Sequence, residues 1–164
     1  MDIFEYAMKM EMDGRMFYIE HANKATSPEL KKILLELADD EQKHYNIFKA
    51  LKDGHTAEYK EAEKTTILAT VKNVFESLRA GDKNYAFPAD AKKLWEEARE
   101  VEKKTEVFYR EKAKEVGKPA QAAILNKIAD EEHRHWVTME NVIQFLDRPT
   151  NWLESAEWTN LEDY

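Results

Sequence analysis

The sequence contains no cysteine. That excludes disulfides, zinc–thiolate sites, iron–sulfur clusters and thiol nucleophiles, and it fits a reducing compartment. Glycine and proline are scarce, four of each in 164 residues, which removes the usual punctuation of turns and favours long helices. No apolar run approaches the roughly 20 residues that cross a bilayer. The start, Met1-Asp2-Ile3-Phe4-Glu5, has neither the basic nor the apolar stretch of a secretory signal. A cytoplasmic location without membrane association is therefore expected. Basic residues are also outnumbered, 25 Lys and Arg against 33 Asp and Glu. With no basic stripe to offset that balance, nucleic acid is not an expected partner. An acidic surface is compatible with attracting cations, but solubility is the first reading of that charge.

What is present is helical periodicity. The length suits one domain, residues 1–164, with room for a sizeable core. Three- and four-residue apolar steps predict four long amphipathic helices, at 2–25, 29–52, 90–116 and 119–146. Thr26-Ser27-Pro28-Glu29 has the order of a helix start, and Gly117-Lys118-Pro119 marks the matching break. A long crossover, 53–89, carries a weaker helical stretch from Thr65 to Arg79. Short, long and short connections predict an all-α four-helix bundle, two helical hairpins running up-down-down-up. Arg148-Pro149 ends the last helix, and the tail, 147–164, is expected to lay Trp152, Leu153, Trp158, Leu161 and Tyr164 on the bundle.

The two hairpins are copies. Residues 5–51 align on 96–142 without a gap and with fourteen identities, among them Glu11/Glu102, Phe17/Phe108, Tyr18/Tyr109, Glu41/Glu132 and His44/His135. A pseudo-two-fold bundle follows, its axis between the two Glu-x-x-His motifs. Glu11 lies about as far before the first hairpin turn as Glu41 lies after it, so at about 1.5 Å per residue their heights match. The same holds for Glu102 and Glu132 in the second hairpin.

Glu11, Glu41, His44, Glu102, Glu132 and His135 thus converge at one level as candidate metal ligands. Glu and His three residues apart project from nearly one side of a helix. Several ionised glutamates on apolar stripes would be very unfavourable without cations, and two divalent ions would neutralise them. The mixed oxygen and imidazole set suits iron or manganese, and zinc is compatible. An isolated Glu-x-x-His is usually a chance surface pair; the doubling, in phase with the stripes, favours a site. Tyr18 and Tyr109, two turns beyond Glu11 and Glu102, are hydrogen-bond donors to ligand carboxylates or else core tyrosines. Gly14 and Thr105 leave room for metal and oxidant or permit close helix packing. Asp40 and Glu131 are weaker candidates to support the ligands. His21, His55 and His133 are expected at the surface, and the Phe17/Phe108 and Tyr45/Trp136 pairs are expected to pack rather than to carry electrons.

The segments EMDGRMFY with LADDEQKH, and EKKTEVFY with IADEEHRH, resemble the rubrerythrin branch of the ferritin-like superfamily across both hairpins. The resemblance implies a four-helix bundle with a carboxylate-bridged di-iron site on the six residues above. Two departures stand out. The cysteine-containing rubredoxin module is absent, and the extra glutamate one turn after the third-helix ligand is replaced by Thr105, with Glu106 beside it.

The expected function is that of a di-iron oxidoreductase, of peroxidase or ferroxidase type, which reduces peroxide or dioxygen with electrons from an external donor protein. Iron handling by ferroxidase activity, storage or delivery is the first alternative. A metal-free interaction bundle that keeps the ancestral pattern is the second. A homodimer is compatible with the resemblance and with the long connector.

Overall fold

The computed structural model describes residues 2–54, 64–81, 87–88 and 90–164. Helix α1 spans Ile3–Lys24, α2 Pro28–Lys52, α3 Ile67–Ala80, α4 Ala91–Glu115, α5 Pro119–Asp147 and α6 Pro149–Leu153, followed by a 3-10 segment, Glu157–Asp163. No strand occurs among the described residues. No helix there is long and apolar enough to cross a membrane.

The punctuation falls where backbone chemistry requires it. Pro28, Pro119 and Pro149 open α2, α5 and α6, where the missing N–H is harmless. Ser27 caps α2 by accepting from Leu30 N–H at 3.3 Å, and Asp2 caps α1 by accepting from Glu5 N–H at 2.8 Å. Gly117 makes the α4–α5 turn with a φ of 69°, a left-handed conformation that side chains disfavour. Gly14 alone among the glycines sits inside a helix.

Contacts between helices fix the topology. Tyr18 reaches Glu102 while Tyr109 reaches Glu11. Each tyrosine lies C-terminal to its own glutamate, so α1 and α4 run antiparallel. His44 reaches Glu131 and His135 reaches Asp40, so α2 and α5 are antiparallel too. With α1–α2 and α4–α5 as hairpins, the order is up-down-down-up.

The repeat is also a repeat of burial. The four buried residues of α1, Ala7, Glu11, Tyr18 and Ala22, have the buried images Ala98, Glu102, Tyr109 and Ala113 in α4, ninety-one positions on. Val101, an apolar residue of α4, is 58% exposed. Two apolar clusters form the core. One holds Ile47, Phe48, Ile124 and Leu125. The other holds Leu34, Leu37, Phe75, Trp95, Phe145 and the tail residues Trp152 and Trp158. Tyr164, expected on the bundle, is 62% exposed. His55 and part of the crossover (56–63, 82–86 and 89) lie outside the described residues.

Candidate metal centre

The long helices bring Glu11, Glu41, His44, Glu102, Glu132 and His135 together in the interior, each at most 4% exposed. They form two sets whose candidate donor atoms all lie within 4.8 Å of one another: Glu11, Glu41, His44 and Glu132 in one, Glu41, Glu102, Glu132 and His135 in the other. Glu41 and Glu132 belong to both. Two central carboxylates, flanked on each side by one glutamate and one histidine, are a pattern for two neighbouring cations.

The contacts of the two histidines are images of each other across the pseudo-axis. His44 Nδ1 lies 2.9 Å from Glu132 and 3.4 Å from Glu11. His135 Nδ1 lies 3.1 Å from Glu41 and 3.3 Å from Glu102. The two imidazoles face each other with centroids 6.0 Å apart. On their outer edges, His44 Nε2 meets Glu131 at 2.9 Å and His135 Nε2 meets Asp40 at 3.0 Å. A carboxylate on Nε2 favours the proton there and leaves Nδ1 as the inward donor. Asp40 and Glu131, weak candidates in the sequence, are the groups that orient the histidines.

Tyr109 O–H donates to Glu11 Oε1 at 2.7 Å, and Tyr18 O–H donates to Glu102 Oε1. In each case the second oxygen, Glu11 Oε2 or Glu102 Oε2, is buried without a hydrogen-bond partner among the described residues. Glu41 Oε1, both carboxylate oxygens of Glu132 and His44 Nδ1 likewise lack a well-aligned hydrogen bond, their short contacts being the histidine–carboxylate pairs given above. Unpartnered buried polar atoms are rare in native proteins. Six of them, all within the two donor sets, make the residues present a good fit for metal ions.

Electrostatics agree. Burial, reinforced by the charges of Glu11, Glu132 and Glu102, pushes the Glu41 carboxyl well above its ordinary value. Burial and the charges of Glu102 and Glu11 do the same to Glu132. Burial alone would also raise Glu11 and Glu102, but His44 and His135 respectively overcome it and hold them low. Burial works against charged His44 and His135, yet their carboxylate neighbours raise both well above the ordinary histidine value. In the metal-free protein, protons therefore take the place of cations.

Gly14 has a role that its helix position does not suggest. A Cβ there would meet Glu41 Oε2 at 2.9 Å. The glycine is roughly 1 kcal/mol worse than alanine for a helix, and it makes room for a central carboxylate.

Thr65 gave no signal in the sequence. Its N–H donates to Glu131 at 3.0 Å and its hydroxyl donates to Asp40. One crossover residue thus ties the two carboxylates that orient the two histidines. Thr65 belongs to neither hairpin copy, so the repeat could not reveal it; only its place at the start of a helix drew notice. Glu106 does not supply the carboxylate missing at Thr105. It pairs instead with Arg110 at 2.9 Å and His133 at 3.1 Å, so His133 is half-buried in an ion-paired cluster rather than free at the surface. His21 is partly buried and packs on Phe17, with ring centroids 4.4 Å apart.

An all-α bundle with up-down-down-up order and paired carboxylate–histidine sets in its middle defines a ferritin-like protein. The family model described as Rubrerythrin matches residues 2–143, and the chain belongs to that family. Neither the curated proteins nor the solved structures compared with the chain yield a match.

Proposed function

We propose that the chain is a di-iron carboxylate oxidoreductase that works in the cytoplasm and reduces peroxide or dioxygen with electrons from an external donor protein. The observation that carries the reading is the pair of donor sets sharing Glu41 and Glu132. Four carboxylates offer four negative charges, and two divalent cations balance them in a site too dry to leave them bare. Oxygen and imidazole donors suit iron or manganese, and iron supplies the redox couple. Bound in the ferrous state, the metals would deliver the two electrons of H2O2 + 2 e− + 2 H+ → 2 H2O.

The chain's own residues set the conditions for that step. Glu41 and Glu132 belong to both donor sets and would help hold both cations. Tyr18 and Tyr109 stay protonated, since burial and the neighbouring carboxylates push both phenols well above their ordinary value. Their donation to one oxygen of Glu102 and of Glu11 leaves the other oxygen for a cation. Asp40 and Glu131 aim the imidazoles.

Stopped-flow mixing of anaerobically iron-loaded protein with hydrogen peroxide tests the proposal. Ferrous oxidation is expected to be fast in the natural chain and slow in the Glu41→Ala, Glu132→Ala double variant. Equal rates would remove the basis for the reading.

A further inference from the structure

A cleft between α1 and α4 opens from the surface onto the metal centre. Its volume is about 320 Å³, with Met10, Phe17, Ala98 and Val101 in its walls and Glu41, Glu102 and Glu132 at its floor. Hydrogen peroxide and dioxygen need only a small part of that volume. Pockets from roughly 300 Å³ upward accept organic ligands.

The chemistry of the lining narrows the ligand. The Thr105 hydroxyl donates to the Val101 carbonyl at 2.9 Å, so its proton is not available to a ligand. The Tyr18 hydroxyl is committed to Glu102. Asp13 at the mouth pairs with Lys9 at 3.1 Å. None of the described lining residues is basic, so no side chain along the walls would pair with an anionic group. The walls therefore suit an uncharged apolar body whose one polar end reaches the floor.

We propose that this cleft binds a neutral organic hydroperoxide, an alkyl or aryl ROOH, with its organic part along Met10, Phe17 and Val101 and its O–O group at the floor. The chemistry rests on the di-iron reading above. The balance is ROOH + 2 e− + 2 H+ → ROH + H2O. The O–O bond breaks, each oxygen takes up one electron and one proton, and the external donor replaces the electrons. Val101 at the mouth sets selectivity for the organic part.

The test separates binding from chemistry. Metal-free protein is titrated with 2-phenyl-2-propanol, the alcohol product of cumene hydroperoxide, and followed by NMR of the Met and Val methyl groups. Saturable shifts at Met10 and Val101 are expected. Val101→Phe, which fills the mouth, and Val101→Asp, which makes it polar, should each weaken that binding by about tenfold or more. In iron-loaded protein the same variants should lower kcat/KM for cumene hydroperoxide about tenfold relative to hydrogen peroxide, through KM. Val101 is exposed, so both variants are expected to fold. The absence of shifts at Met10 and Val101, or an unchanged ratio of the two peroxides in both variants, overturns the proposal. So does reduction of hydrogen peroxide without reduction of cumene hydroperoxide. Failure with both peroxides overturns the di-iron reading on which the chemistry rests.

Discussion

Thr65 holds two carboxylates that belong to different halves of the molecule, and it does so with different atoms. The hydroxyl serves Asp40, which orients His135; the backbone N–H serves Glu131, which orients His44. Thr65→Val removes only the first of these bonds. Losing a partner of a buried carboxylate is expected to lower the stability of the metal-free protein by about 1–3 kcal/mol. Loss of support for a metal-binding histidine typically weakens affinity by about 10–100-fold. The expected result is therefore asymmetric. In a cobalt(II) titration read by visible absorbance, one of two equivalents weakens in Thr65→Val, the other does not, and Thr65→Ser restores both. Equal weakening of the two would mean that Thr65 acts through general packing. At this scale the sequence was legible only where the repeat spoke twice. Glu41 and Glu132 could be read from their spacing. Thr65 has no image, and the pairing of Glu106 depends on Arg110 and His133, which lie on two different helices.

At the scale of elements, stripes and caps made the four long helices readable to within a residue or two. The apolar period of α2 and α5 is strong, and the prolines open helices rather than interrupt them. The C-terminal segment was less legible, because its aromatics follow no helical period. Two of its large side chains dock beside α3. Phe75 meets Trp152 at 6.0 Å and Trp158 at 5.8 Å between centroids. The indole N–H of Trp158 donates to the Trp152 carbonyl at 3.0 Å, which closes the segment on itself. Trp158 is 1% exposed, so Trp158→Ala leaves a large cavity. It is expected to lower stability by about 3–5 kcal/mol in urea unfolding. The stoichiometry of metal binding should stay at the natural value, because Trp158 packs in the cluster away from the six donors. A loss below about 1 kcal/mol would show that the segment is an appendage and not part of the core.

The whole molecule is two hairpins that each contribute half of an electrostatic problem. Neither half buries its glutamates safely alone, and the period of each helix does not say which hairpin will face which; the doubling supplied that. The consequence is a pH dependence that metal should reverse. In the metal-free protein Glu41 and Glu132 titrate well above the ordinary 4.5, and His44 and His135 well above 6.5. For both kinds of group a raised folded value means that the folded chain holds more protons than the unfolded one. Their contribution is full below the unfolded values and is lost as pH rises through the raised ones. Glu11 and Glu102 are lowered from 4.5. Their contribution is present above that value and fades as pH falls through the lowered ones, which lies outside the neutral range. Between pH 6 and pH 8 the metal-free protein should therefore lose stability, by about 1.4 kcal/mol per pH unit for each extra proton held. Divalent metal displaces those protons and binds more tightly as pH rises. The gap in Tm between manganese-loaded and metal-free protein should widen steadily from pH 6 to pH 8 in calorimetric scans. A gap that stays constant would falsify the exchange of protons for cations at the shared carboxylates.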